Sequence, residues 1–402
     1  MTPDPASFAK LDPPARLLMG PGPSNVHPRV LQALAAPTIG HLDPALFHIM
    51  DDIQSLLRMA FGTQNRLTFP VSGTGSAGME AGLCNVLERG DRVVIAQNGV
   101  FGGRMADIAG RLGCEVTLVE APFGQTIDPT RVADALRGRT VKLVGIVHAE
   151  TSTGVRQSIP EVAELARRAG ALCLVDCVTS IGGIPVELDA WGVDIAYAGT
   201  QKCLGCPPGL APITFSDRAV NVLKTRSTKV ASWYLDATML LAYWGGERLY
   251  HHTAPVNMLY GLREALVMLC EEGLDNAHAR HALHHRALVA GLEAMGLALL
   301  VPPQHRLPQL TAVVIPAGVD DASVRKALLS AHGIEIGGGL GSLKGKVWRV
   351  GLMGHTARRA NVERFLAALE AVLTTLGAPV RPDRALAAAE PIWSASAGSI
   401  SA

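Results

Sequence analysis

A chain of 402 residues with 48% hydrophobic content is long enough to bury a substantial core and to form more than one compact unit, which excludes a disordered or fibrous protein. Thirty-six Lys and Arg against 35 Asp and Glu leave a formal charge of +1, with no basic run longer than a pair, and this argues against nucleic acid or an anionic membrane as partner. The opening "MTPDPASFAKLDPPARLL" has acids and prolines where a signal peptide needs a basic start, and no apolar run approaches the ~18 residues that span a bilayer, so a soluble, cytoplasmic protein is expected. Seven cysteines (Cys84, Cys114, Cys173, Cys177, Cys203, Cys206, Cys270) are odd in number and irregularly spaced, which predicts reduced, mostly buried thiols rather than a disulfide framework.

Along the chain, short β-branched runs at 67–71, 92–97, 115–120, 141–147, 172–178, 194–199 and 211–216 alternate with helical patterns. In "SIPEVAELARRAG", Ser158 and Glu161 stand at capping-box spacing, with Pro160 in the first turn and Gly170 at the stop. Continuous apolar strands alternating with helices predict an α/β fold with a mostly parallel sheet covered on both faces. From about 258 the texture changes to long helical patterns, then "LTAVVIPAG", "VWRVGLMG" and a closing helix. The expected division is an N-terminal arm over 1–25, a large domain over 26–275, a smaller α+β domain over 276–380 and a flexible Ala/Ser-rich tail over 381–402.

Ligands of such sheets bind beyond the carboxyl ends of the strands, and three of those ends carry chemistry. "SGTGSAG" at 72–78 matches G-x-G-x-x-G at Gly73, Gly75 and Gly78. A dinucleotide-binding dehydrogenase would want an acid at the end of the next strand, where this chain has Gln97 and Asn98. What survives is a phosphate seat: the first amides of a helix, with the hydroxyls of Thr74 and Ser76. The bland alternative is a plain strand–helix turn. Asp176 follows four apolar residues of a strand buried on both faces, so its carboxylate must meet a cation or several donors, or cap a neighbouring turn. Lys202, in "GTQKCLGCPPG", follows a strand end in the same way. Its neighbours Cys203 and Cys206 lack the second ligand pair that zinc requires, and the prolines after them do not open a thioredoxin-type helix. No metal site is expected there, and the histidines of "HARHALHHRA" (His278, His281, His284, His285) read as a solvated face of a helix.

The chain resembles the class V, fold-type I pyridoxal-phosphate aminotransferases, in the branch of alanine–glyoxylate and serine–glyoxylate enzymes. The likeness runs over roughly 17–375 and is carried by "LLMGPGPSNVHPRVL", "SGTGSAGMEA", "NGVFGGR", "HAETSTGV", "VDCVTSIGG", "GTQKCLGCPPG", "YHHTAPV" and "GKVWRVGLMG", in that order. The fold it implies is a seven-stranded, mostly parallel sheet in the large domain with a smaller C-terminal α+β domain. Residue by residue, it implies that Lys202 forms a Schiff base with pyridoxal phosphate and shuttles a proton, and that Asp176 pairs with the pyridine nitrogen. Gly75, Ser76 and Gln201 would bind the phosphate beside Thr74, Thr151 would lie near the ring hydroxyl, and Phe101 and Val178 would press on the two ring faces. Arg349 would grip the substrate carboxylate in a two-point bond, and Gly40 and His41 would bound the substrate pocket. Tyr250 and Thr253 resemble residues that reach the phosphate from a partner subunit, which implies a homodimer with shared sites.

The activity so implied is transamination from alanine or serine to glyoxylate. Two relatives of the same fold are rivals. A cysteine desulfurase needs a nucleophilic cysteine in the small domain, and this chain has none after Cys270. The ureidoglycine–glyoxylate aminotransferases carry Gln and Asn where this chain has His41 and Tyr250. A dicarboxylate donor is not expected, because no second basic group in these segments is placed to receive its distal acid.

Overall fold

In the computed structural model of the chain, residues 3–4 and 8–397 are described, the side chains of 396 and 397 excepted. Seven strands form the large sheet: β1 (Leu67–Ser72), β2 (Arg92–Gln97), β3 (Glu115–Glu120), β4 (Leu143–Val147), β5 (Leu172–Asp176), β6 (Ile195–Tyr197) and β7 (Leu210–Phe215). Their order is β1-β7-β6-β5-β4-β2-β3, parallel except for β7, which runs antiparallel to both neighbours. Every residue of β4 and β5 is buried, which is why these strands are unbroken apolar runs, whereas the edge strand β3 alternates and leaves Leu118 exposed. The register pairs Val147 with Asp176 and Asp176 with Tyr197, so the carboxyl ends of β4, β5 and β6 lie side by side.

Helices α1 (Gly75–Cys84) and α2 (Val100–Arg111) leave the ends of β1 and β2 and pack on the sheet. Gly78 lets α1 come close: a Cβ there would stand 3.1 Å from the Cβ atoms of both Ala211 and Tyr197. The capping box expected at Ser158 and Glu161 does not form. The helix Pro160–Arg168 has Ile159 at its cap position with no side-chain hydrogen bond, because Ile159 is used to fill the core. Gly170 ends that segment in the left-handed region, at φ 74°.

Helix α3 (Val256–Glu272) still packs on the large-domain core, and the chain turns at Gly273, φ 81°, into α4 (Leu274–Ala294). A second core begins at Ala287 and is built from α4, the antiparallel sheet β8 (Leu310–Val314), β10 (Val347–Gly351) and β9 (Gly337–Gly338), and helix α5 (Arg359–Thr375). Leu17 and Met19 belong to this core, and Leu17–Leu18 pairs in parallel with Ile334–Glu335, so the end of the N-terminal segment is stitched to the small domain. The tail expected from 381 is instead a packed helix over most of its length. In α6 (Ala385–Ala397) the side chains Ala385, Ala389 and Trp393, four residues apart, are buried, and Trp393 Nε1 donates to His284 Nδ1 on α4 at 3.1 Å. Alanine-rich sequence is strong helix former, and a stripe at this spacing suffices to dock it. Residues 398–402 lie outside the described residues.

Candidate active site

The ends of β1, β4, β5 and β6 open onto a cleft of about 490 Å³ lined by Thr74, Gly75 and Ser76 from the start of α1, Phe101 and Arg104 from α2, Ala149 and Thr151, Asp176 and Val178, and Gln201 and Lys202. Eight residues expected from sequence at the cofactor, Thr74, Gly75, Ser76, Phe101, Thr151, Val178, Gln201 and Asp176, thus meet Lys202 in one place. Helix α1 starts at Gly75 with Thr74 as N-cap and no side-chain cap bond, which leaves its first amides free for an anion. A Cβ on Gly75 would lie 2.8 Å from Val178 Cγ2, so glycine keeps this corner open.

Asp176 is 3% exposed and receives Tyr197 Oη on Oδ2 and the Val178 amide on Oδ1, both at 2.8 Å. Burial pushes its pKa up to about 7 against those two donors, so the carboxyl is short of a cation. Lys202 Nζ donates to the Pro21 carbonyl oxygen, and burial brings its pKa down to about 8, with Arg349 adding to the effect and Cys203 and Asp176 opposing it. An amine so placed loses its charge readily. Gln201 Oε1 is buried with no hydrogen-bond partner. An acid short of a cation, uncapped helix amides and a desolvated amine fit a phosphorylated, aldehyde-bearing pyridine.

Arg349, on β10, is 7% exposed and lies next to the cleft, donating from Nε to Gly338 O at 2.7 Å and from Nη1 to Thr151 O at 3.2 Å. Burial holds its pKa down at about 10, with Glu150 pulling the other way, and among the described residues no carboxylate is in ion-pair contact with it. The structure does not bring Gly40, His41, Tyr250 or Thr253 to the cleft of their own chain. They lie on the surface, where His41 and Tyr250 are ring neighbours at 5.1 Å, with Tyr250 60% exposed. Within one chain, His41 stands beside Tyr250 and does not line the cleft that holds Phe101.

Arg104 was missed. It donates to Ser76 Oγ at 2.9 Å and its guanidinium stands 5.0 Å from the Phe101 ring centroid. Its spacing of three residues from Phe101 on a helix was the available signal. The expectation that no second cation reaches the pocket is corrected accordingly. The contact of Pro21 with Lys202 had no local signal. Cys203 and Cys206 are free and buried, with burial pushing both thiols up to about 12, and among the described residues no His, Cys, Asp and Glu cluster could hold a metal.

A parallel α/β sheet with a lysine and an acid at neighbouring strand ends, facing an uncapped helix, defines a pyridoxal-phosphate transferase of fold type I. The sequence profile described as "Aminotransferase class-V" matches residues 18–365, and the chain belongs to that family of pyridoxal-phosphate enzymes. It is similar to the solved alanine–glyoxylate aminotransferase of Nostoc sp., with 51% identity and a TM-score of 0.90 over 93% of this chain and 100% of that one. The solved ureidoglycine–glyoxylate aminotransferase of Bacillus subtilis is 42% identical, with a TM-score of 0.94 over 96% of this chain and 100% of that one. The alanine–glyoxylate aminotransferase of Callithrix jacchus is 42% identical over 377 residues, 93% of this chain and 91% of that protein.

Proposed function

We propose that the protein moves the amino group of alanine or serine to glyoxylate, giving glycine and a 2-oxo acid, in the cytoplasm and as a homodimer. The observation that carries this reading is the meeting of Lys202 Nζ, the Asp176 carboxyl and the free amides of α1 in one cleft of a class-V chain. When bound, the cofactor supplies an aldehyde that takes up the amino group and an electron-poor ring that accepts the electrons released at the substrate's α-carbon. Lys202 Nζ would tether the aldehyde and would be the amine that carries the α-proton. Asp176 would keep the ring nitrogen protonated. Gly75, Ser76, Thr74 and Gln201 would hold the phosphate, Phe101 and Val178 would flank the ring, and Thr151 would lie near the ring hydroxyl. Arg349 takes the substrate carboxylate with the part of its fork that Gly338 and Thr151 leave free. Tyr250 and Thr253, exposed on their own chain, and the half-buried His41 beside Tyr250 would complete the site of a partner subunit.

A small substrate is favoured because Arg104, the other cation at the cleft, stands beside Ser76, where it would face the phosphate rather than a substrate's distal acid. A second carboxylate buried without a partner would cost several kcal/mol. Ureidoglycine is the second reading, favoured by the likeness to the Bacillus subtilis enzyme. Steady-state assays of alanine, serine, aspartate, glutamate and freshly generated ureidoglycine with glyoxylate decide between them. Preference for alanine or serine is expected; preference for glutamate defeats the small-pocket argument, and preference for ureidoglycine installs the second reading.

A further inference from the structure

Glu150 has no part in the scheme above, yet it is fully buried between Ala149 and Thr151, two residues of the cleft wall. Its carboxylate meets donors only. Oε2 accepts from the Phe101 amide at 3.1 Å, and Oε1 accepts from the Ser152 amide at 3.0 Å and from Ser152 Oγ at 2.6 Å. The Ser152 hydroxyl oxygen in turn accepts from the Val100 amide at 2.9 Å. These are the opening amides of α2, whose N-cap is Gly99 and offers no side chain. The space for one is already taken, since a Cβ on Gly99 would run into the Glu150 carboxyl and Ser152 Oγ. A carboxylate 49 residues away along the chain therefore does the capping, at the end of the helix where the dipole favours an anion.

The two amides can only donate to this carboxyl, and Ser152 Oγ is the one contact that could accept a hydrogen from its protonated form. Burial raises the Glu150 pKa overall, and the hydrogen bonds from Ser152 and from the Phe101 and Gly102 amides oppose that rise by favouring the carboxylate. The same charge acts on Arg349. That guanidinium bonds to the carbonyl oxygen of Thr151, the residue next to Glu150, and Glu150 is the group that supports its charge against burial.

We propose that Glu150 is a positioning residue of the active site: it fixes the opening turn of α2, and with it Phe101, and it is the buried counter-charge of Arg349 until a substrate carboxylate arrives. The second half rests on the role given to Arg349 above, and the first half on that given to Phe101.

Glu150→Gln and Glu150→Asp, in the full chain, separate geometry from charge. In both variants hydrogen–deuterium exchange over residues 100–103 should rise about tenfold, with and without cofactor, because Glu150→Gln turns one of the two acceptor oxygens into a donor and Glu150→Asp draws both back by one methylene. Propionate, a carboxylate that cannot react, should compete with the amino donor about three- to tenfold more tightly in Glu150→Gln, where the competing anion is gone, and nearly as in wild type in Glu150→Asp, where it remains. A purely structural lesion would weaken propionate in both. Arg349→Ala, run alongside, reports the earlier reading by itself, since it should lose propionate whatever Glu150 does. Wild-type protection at residues 100–103 in Glu150→Gln overturns the capping role, and unchanged or weaker propionate binding overturns the counter-charge. If Glu150→Gln does not fold, Ser152→Ala carries the test: exchange at Val100 must rise, and retained protection there overturns the proposal.

Discussion

Lys202 is a desolvated amine whose hydrogen-bond partner among the described residues is a backbone carbonyl oxygen, that of Pro21. Only the neutral amine attacks an aldehyde, and burial sets its pKa at about 8, so the rate at which apo-protein takes up pyridoxal phosphate should rise with pH and level off above about 8. Borohydride reduction of the loaded protein followed by peptide mapping should label Lys202 alone, and Lys202→Ala should lose both the label and several orders of magnitude of turnover. A label on any other lysine removes the assignment. The two carbonyl contacts of Arg349 hold its fork in place without neutralising it. Arg349→Ala should retain cofactor and lose about 2–5 kcal/mol of carboxylate binding, read as kcat/KM for the amino donor. Loss of cofactor with donor affinity intact would remove it from the substrate site.

Helix α4 carries a different consequence of burial. His281 is 0% exposed, with Nδ1 bonded to Ala277 O at 2.6 Å and Nε2 accepting the Gly354 amide at 3.0 Å, which requires the neutral ring with its hydrogen on Nδ1. Burial takes its pKa down to about 3, reinforced by Arg280 and opposed by the Ala277 carbonyl and Glu272. The unfolded chain therefore binds the proton first: stability from this group is complete above about pH 6.5 and is lost as pH falls toward 3. Urea unfolding should show that fall, and His281→Asn should be less stable at pH 7 yet flatter between pH 6 and 4; an unchanged slope excludes His281 as the source. That helix was legible as a pattern, but the burial of its histidines was not, because nothing in "HARHALHHRA" says that α6 will cover one face and the Gly354 turn another. The sheet strands were legible because burial on both faces demands unbroken apolar runs, and Asp176 and Lys202 stood out because polar groups ending such runs need a reason. Pro21, Glu150 and Arg104 act through contacts between distant segments, or through a helix phase, that a linear reading does not weigh.

At the scale of the whole molecule, the exposed apolar side chains Trp233, Leu249, Tyr250 and Leu42 lie in the same segments as His41 and Thr253, residues whose resemblance assigns them to a site that their own chain does not let them reach. The proposed two-fold dimer would satisfy both facts, since a second copy would cover the apolar side chains and bring Tyr250 and Thr253 to the phosphate end of the opposite cleft. The arrangement predicts complementation. Lys202→Ala subunits keep Tyr250 and Thr253 but lack the amine; subunits with Tyr250→Ala and Thr253→Ala keep the amine but lack the partner's contribution. Neither homodimer should turn over well. In a mixed dimer the two defects fall together in one site and leave the other whole, so co-refolding the two inactive parents should restore activity, up to half of the wild-type value per mixed dimer. The readout belongs to sharing alone. If each site were built from one chain, a mixed dimer would hold two different broken sites and activity would stay at the sum of the parents, and that result would send Tyr250, Thr253 and His41 back to the surface.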